Sequence, residues 1–598
     1  MQQKLAHLRS RMIRRLRVSA ARSNLPQHSV EILLGVLIGL MGAGGAVVFR
    51  WFLAICTDFF FVDLASALAP IAPYHLLVLP VLGALIVGPL VTRWGPAVGG
   101  SGVPELQEAA ALRGGRLGPL RWLHKGLASA LTIASGGSAG REGPIAFISA
   151  SLAADVGRFF PGGERRRKLI FACGAAAGVA ATFNAPLAGA FFALEIVLGS
   201  WGAETFAPVV VSAVVSSAIG RHVFGSAPAF EVPSYSLATF AELPVFALLG
   251  LLAAVVGVLF VLALYGVGDF WQRIRWPVGL RYAPAALLVG ALGLLDPGVM
   301  GLGYDTVSAT LRGEAPAIGV LLALMVGKIM ATSLTLGSGG SGGIFAPSLF
   351  IGAKLGAAVG LATALVFPAA TTSPGAYALV GMGALFAGVS HAPITAVLTI
   401  FELTGDYRMI LPLMLSCGIA TIAARHLMRT SIYNLKLLRR GVHLELGRDI
   451  SLLNEIEVRD AMSCDLVTID PMASGREALR LMETTTHHGF PLVDEQGLLH
   501  GMVTSDDVRQ AAVEDRLDAP VTQIATHRLV LAFPDESLHD ALRKLGIHHV
   551  GRVPVVERED HRRIVGIITD KDIINAYNHA LIRQHTHLER TTSTEYFD

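Results

Sequence analysis

The chain has 598 residues, 53% of them apolar and only 16% charged, with a mean hydropathy of +0.56 and a formal net charge of +3. Soluble domains carry about a quarter charged residues, so this composition excludes an ordinary soluble globular protein, and the length calls for two or more domains. A balance so near neutral gives no ground for nucleic-acid binding, and Cys56, Cys173, Cys417 and Cys464 share no metal-like spacing.

Residues 1–30 form a basic segment with Lys4, Arg9, Arg11, Arg14, Arg15, Arg17 and Arg22 and no acid. No small-residue cleavage site follows it. It reads as the cytoplasmic end of a membrane protein rather than a signal peptide. From 31 to about 440 the chain is predicted to be an all-α polytopic membrane domain. The stretches 32–49, 76–92, 169–194, 243–268 and 409–424 contain no Asp, Glu, Lys or Arg, and runs of this length can cross a hydrocarbon core of roughly 30 Å.

Three glycine-rich breaks interrupt this region: Gly99-Gly100-Ser101-Gly102-Val103-Pro104, Gly136-Gly137-Ser138-Ala139-Gly140-Arg141-Glu142-Gly143-Pro144 and Gly339-Gly340-Ser341-Gly342-Gly343-Ile344-Phe345-Ala346-Pro347. Each ends in a Pro that suits the first turn of a helix. Helices that start inside the membrane present unpaired N–H groups and about half a positive charge, an anion site that needs no buried Lys or Arg. A single such motif would mark only close helix packing. Three of them point to a ligand.

Two of the breaks belong to an internal repeat. Residues 135–157 and 338–360 are identical at 13 of 23 positions at an offset of 203, and Asn184-Ala185-Pro186 and Glu195 match His391-Ala392-Pro393 and Glu402 at an offset of 207. The halves are predicted over about 31–225 and 243–438. The loop after the first copy is basic (Glu164-Arg165-Arg166-Arg167-Lys168), whereas its counterpart over 367–376 is uncharged. The copies therefore face opposite sides of the bilayer. Inverted-topology repeats place the substrate near the midplane. Lys436, Arg439 and Arg440 return the chain to the cytoplasm.

GSGVP, GREGP and GGIFAP, in this order and at these separations, resemble the signature segments of the CLC family of chloride channels and transporters, over the whole of about 31–438. The resemblance implies a chloride site. Ser101, followed by Gly102, supplies a hydroxyl, Ile344 and Phe345 supply backbone N–H groups, and Tyr433 closes the site from the cytoplasmic side. It makes Glu142 the gating glutamate, an ionisable membrane residue whose carboxylate and chloride compete for one position. It further implies a homodimer with one pathway per subunit, in the plasma (inner) membrane with both termini cytoplasmic. Proton-coupled relatives often carry two adjacent glutamates after NAPLAG. Here the pair reads Glu195-Ile196, which resembles the channel branch and favours a passive chloride channel over a chloride/proton antiporter. Glu195 and Glu402 are expected to bond buried backbone.

After about Arg440 charges become frequent. Two units follow, each with a short helix (near 478–483 and 538–545), an apolar segment (Phe490-Pro491-Leu492-Val493 and Val553-Pro554-Val555-Val556) and a G-h-h-T-x-x-D ending, where h is apolar. They look like a tandem CBS pair, an α/β (Bateman) domain over 456–512 and 520–578, with a tail over 579–598. The resemblance implies an adenine nucleotide held by Thr504, Asp507, Thr569 and Asp572; helix capping alone would also explain these residues. No metal, other cofactor or enzymatic role is expected. Magnesium transporters also carry CBS domains, but a divalent-cation path needs convergent carboxylates.

Overall fold

The computed structural model describes residues 27–579 apart from positions 96, 159–163, 226–229, 231, 234, 236, 238, 275, 369–371, 406, 441, 443–452, 454–455, 486 and 549. The basic segment expected over 1–30 and the tail over 579–598 lie, but for their inner edges, outside the described residues. The chain divides into two compact units after Leu444.

The first unit is built of helices in two matching series. The first runs α1 (Gln27–Asp58), α2 (His75–Trp94), α3 (Val103–Leu112), α4 (Arg121–Ala134), α5 (Glu142–Gly157), α6 (Glu164–Phe183), α7 (Pro186–Phe191, continued as a π-helix over Phe192–Leu198) and α8 (Ala203–Phe224). The second runs α9 (Leu243–Arg273), α10 (Val278–Leu295), α11 (Tyr304–Leu311), α12 (Ile318–Ser338), α13 (Phe345–Val366), α14 (Pro374–Ser390), α15 (Pro393–Thr404) and α16 (Ile410–Leu427), with α17 (Ile432–Leu438) after it. Among the described residues, eight helical segments are long and apolar enough to cross a membrane.

Local backbone obeys the repeat. Asn184 and His391 both take left-handed φ (57° and 58°) before the Pro that opens α7 and α15, and each Pro forces the Ala before it out of the helical region. The most direct sign of a dyad is Gly140 paired with Gly343, its own counterpart 203 residues on. They form an antiparallel bridge, Gly140 N–H donating to Gly343 O at 2.7 Å and Gly343 N–H to Gly140 O at 2.5 Å. A residue that exchanges both bonds with its repeat mate lies on a local two-fold axis, so the halves meet there in opposite orientation.

Residues 169–183 of α6 and 375–390 of α14 are buried on all sides, which is why these helices are apolar all round. Glycine sets how closely helices approach: a Cβ on Gly356 of α13 would stand 2.0 Å from Tyr377 O of α14.

The second unit holds α18 (Gly475–Thr484), β1 (Gly489–Val493), β2 (Leu499–Thr504), α19 (Ser505–Val513), α20 (Leu538–His548), β3 (Arg552–Val556), β4 (Ile564–Thr569) and a helix over 570–579. β1 pairs with β2 and β3 with β4, both antiparallel. The two halves exchange edges. Thr526 of the second half bridges Met502 of β2, while Ser463 of the first half bridges Ile567 of β4. Each half thereby completes the other's sheet, and neither core closes alone.

Candidate anion site

The three glycine-rich breaks meet at one place. Gly100 N–H donates to Gly340 O (2.9 Å) and Gly342 N–H to Gly100 O (3.1 Å), tying the first break to the third. The Gly140–Gly343 bridge ties in the second. No side chain fits between them: a Cβ on Gly143 would stand 2.5 Å from Ser101 O and 3.3 Å from Gly343 Cα. The first helical hydrogen bonds are Leu106 N–H to Gly102 O in α3, Ile145 N–H to Arg141 O in α5 and Ser348 N–H to Ile344 O in α13. The amides ahead of them, including those of Ile344 and Phe345, stand outside the helical ladders, and their partial positive charges gather at this point.

Glu142 opens α5 and is 2% exposed. Its Oε1 accepts a hydrogen bond from the Tyr304 hydroxyl, while Oε2 has no hydrogen-bond partner among the described residues. Oε2 lies at the N-terminus of α13, because a Cβ on Gly140 would meet both Oε2 (2.3 Å) and Ala346 N (3.0 Å). The carboxylate thus rests where an anion would. No ion pair joins it to Arg141 among the described residues; that guanidinium lies 5.4 Å from the Tyr304 ring centroid.

Ser101 and Ile344 line one recess of 780 Å³. Its wall carries Arg281, Lys436, Arg439 and Arg440 against one acid, Asp269, which pairs with Arg439 at 2.7 Å. Behind the wall Glu105 Oε1 pairs with Lys436 (2.8 Å) and Arg440 (3.2 Å), so four cations stand against two acids and the net charge of the recess still favours anions. Gly102 turns the chain into α3 with φ 83°. Tyr433 lies buried on α17; its neighbours Ile432 and Lys436 line the recess, and Tyr433 itself does not.

Three participants were not singled out from the sequence. Lys125 is fully buried and its Nζ donates to Val98 O (3.0 Å) and Gly100 O (2.6 Å), bracing the strand-like loop that carries Ser101. Lys328, its counterpart at offset 203, does the same for Val299 O (3.1 Å) and Gly301 O (3.0 Å). That second loop leads to Tyr304, the third. Gly301-Leu302-Gly303 is a fourth break, the repeat image of Gly100-Ser101-Gly102 at offset 201, and a search for it would have exposed Tyr304. Gln107 Nε2 donates to Ile196 O (2.9 Å), which sets a neutral amide beside Ile196. Among the described residues, no three His, Cys, Asp or Glu side chains converge in a manner fit to hold a metal ion.

In the second unit the four expected nucleotide residues are bonded to one another in pairs. Thr504 Oγ1 accepts from Asp507 N–H, and Asp507 Oδ2 accepts from Thr504 N–H (2.8 Å) and its hydroxyl (2.7 Å). Thr569 and Asp572 repeat the arrangement at 2.9 and 2.7 Å. Each pair is a reciprocal capping box, so capping accounts for the residue types without a ligand.

A family profile described as voltage gated chloride channel matches residues 83–425, and that of the CBS domain matches 458–514 and 521–579. The chain is 37% identical over 418 residues to a putative chloride channel protein ClcB-like of Ralstonia nicotianae, covering 67% of this chain and 95% of the relative. It is 33% identical over 447 residues to an H(+)/Cl(-) exchange transporter ClcA of Salmonella arizonae, covering 72% and 92%. Among solved structures, a slow cyanobacterial Cl-/H+ antiporter superposes with a TM-score of 0.61 at 27% identity, over 70% of this chain and 99% of that one. A eukaryotic CLC transporter at 22% identity, with a TM-score of 0.60, covers 91% of this chain and shares the fold.

Proposed function

The chain belongs to the CLC family of chloride channels and transporters, with a tandem CBS pair behind its membrane domain, and from that membership we propose that it exchanges chloride for protons. It is an integral membrane protein of CLC-type chloride transport. The observation that carries the exchange reading is the Glu142 carboxylate, one oxygen held by Tyr304 and the other resting at the N-terminus of α13. Ionised, it occupies the anion position. Protonated, it loses its attraction for the amides and yields the position to chloride. One residue thereby binds a proton and a chloride alternately. In this reading Ser101, Gly102, Ile344 and Phe345 hold the central chloride, Tyr433 bounds it on the cytoplasmic side, and the basic recess feeds it.

The relatives named H(+)/Cl(-) exchange transporter and the Cl-/H+ antiporter structure support exchange over the passive channel favoured by the sequence. A gated chloride channel stands as the second reading, favoured by Ile196 and its Gln107 contact, which leave no acid at the usual inner relay. Reversal potentials in liposomes under a pH gradient separate the two. Exchange shifts the potential away from the chloride equilibrium value; a potential that stays on it ends the exchange reading. Completing the proposal, the protein works as a homodimer in the inner membrane with cytoplasmic termini, and an adenine nucleotide regulates it through Thr504, Asp507, Thr569 and Asp572. Divalent-cation transport is disfavoured because Glu142, Glu195 and Glu402 each have separate partners.

A further inference from the structure

We propose that Tyr304 is a positioning residue for Glu142: its hydroxyl holds the ionised carboxylate in the anion pathway and so sets the pH at which the pathway opens. The inference rests on the reading of Glu142 as the proton-bearing gate and adds to it the group that tunes that gate.

Tyr304 is the first residue of α11. Gly303 before it takes φ 73°, the conformation Gly102 takes (83°) before Val103 in the repeat. The same turn that opens α3 on Val103 therefore opens α11 on a phenol, which reaches Glu142 of the first half, and only there does the position carry a donor. The ring is fixed on two sides. Phe230, fully buried, meets it edge-on at 5.1 Å, and the Arg141 guanidinium stands 5.4 Å from its centroid. Behind it, Lys328 binds the carbonyls of Val299 and Gly301 and fixes the loop. A phenol clamped in this manner cannot follow the carboxylate if Glu142 swings away, so its hydrogen bond exists in one position of the gate.

Its sign follows from the donor. A phenol O–H given to a carboxylate is a charge-assisted bond, stronger to the ionised acid than to the neutral one. It therefore favours the blocking state and opposes protonation. The other charged or titratable groups around Glu142 are Arg141 beside it, Arg50 of α1 behind Arg141 and Tyr304, and Tyr433 of α17. Arg141 acts in the same direction as Tyr304 through charge, without its geometry. Tyr304→Phe removes the bond and leaves the ring, the Phe230 contact and both arginines in place.

The test is chloride flux from liposomes containing the full chain, measured against pH for wild type, Tyr304→Phe, Glu142→Gln and the double variant. Tyr304→Phe is expected to raise the half-maximal pH by about one unit, a tenfold change in proton concentration. Glu142→Gln is expected to give a flat profile that Tyr304→Phe leaves unaltered. If Tyr304→Phe does not fold, 3-fluorotyrosine at 304 replaces it; its more acidic hydroxyl is the stronger donor and should lower the half-maximal pH. An unmoved midpoint with a flat Glu142→Gln profile overturns the role of Tyr304 alone. A Glu142→Gln profile that keeps its pH dependence removes Glu142 as the gate, and the Tyr304 proposal with it. A change in the flux of Glu142→Gln on adding Tyr304→Phe makes Tyr304 a structural residue and also overturns the proposal.

Discussion

Glu195 and Glu402, repeat mates 207 residues apart, cap each other's halves. Glu195 Oε2 accepts from Thr395 N–H (2.7 Å) and hydroxyl (2.6 Å) at the start of α15, and Glu402 accepts from Leu187 N–H (3.0 Å) and Ala188 N–H (2.7 Å) at the start of α7. Each acid belongs to one half and satisfies helix N-terminal amides of the other, where a negative charge is also favoured by the helix dipole. This agrees with the expectation that both bond backbone.

Glu402→Ala should therefore lower stability by about 1 kcal/mol, the usual worth of an N-terminal cap, and leave chloride flux per folded protein unchanged. Thermal unfolding in detergent, read beside liposome flux, checks this. A loss of flux with no loss of stability would make these acids transport groups.

Glu142→Gln keeps the shape of the gate and removes its charge. Chloride flux should persist and become independent of pH, and proton movement should cease. Parallel chloride and pH electrode traces from liposomes decide the matter; proton movement that survives the change assigns the proton to another acid.

Gly143→Ala places a Cβ 2.5 Å from Ser101 O, on backbone that the glycine bridges hold rigid. Overpacking of this kind costs about 1–3 kcal/mol of stability, and because the strain falls on the three breaks themselves, chloride flux per folded protein should fall well below wild type. Gly266→Ala, a position with nothing within 4 Å, is the control and should leave flux unchanged. Equal flux in the two variants would contradict the packing of the three breaks against one another.

His527 gives the CBS pair a pH dependence. Nδ1 faces His500 O at 2.9 Å and Nε2 faces Thr522 O at 2.7 Å. Both bonds are made only by the imidazolium, so these two carbonyls hold the ring above its ordinary titration range. A group whose value is raised on folding stabilises fully below its unfolded value, about 6.5, and the gain is lost as pH rises through the folded value. Amide exchange at Met502 and Thr526, which bond each other beside this ring, should quicken beyond the intrinsic rate as pH rises above about 6.5. In His527→Gln that excess should vanish. An identical excess in the variant would locate the effect elsewhere.

Asp572→Ala breaks the second capping box. It should destabilise the CBS pair by about 1 kcal/mol and abolish ATP binding by the full chain in a calorimetric titration, with basal chloride flux intact. ATP binding that survives leaves the box as a cap and nothing more.

Much of this site was legible because it is made of backbone. Gly-rich stretches ending in Pro declare interrupted helices, and a 203-residue repeat declares their symmetry; it was the resemblance of those segments to the CLC signatures that named Ser101, Glu142, Ile344 and Phe345 as candidates. Tyr304 was not, although Gly301-Leu302-Gly303, the repeat image of Gly100-Ser101-Gly102, marks its position; that its phenol reaches Glu142 is decided only by the turn in the folded chain. Lys125 and Lys328 were missed for a related reason. A lysine in an apolar helix has no sequence mark that says which carbonyls will satisfy it. The residue pairs at Thr504 and Thr569 were read correctly as helix starts, but whether their oxygens face a ligand or each other is set by side-chain rotamers.

What the sequence by itself determined is the set of apolar spans, their doubling, the points at which helices must begin inside the membrane, and the change to an α/β pair after about Arg440. Periodicity, glycine and proline act over a few residues, so they are readable along the chain. The tertiary structure alone decided that Gly140 meets its own repeat mate, that Glu195 and Glu402 cap across the halves, and that a phenol from α11 reaches the carboxylate of α5. Those relations join residues about 160 to 210 positions apart, and only packing the two halves about a common axis brings them within hydrogen-bond reach.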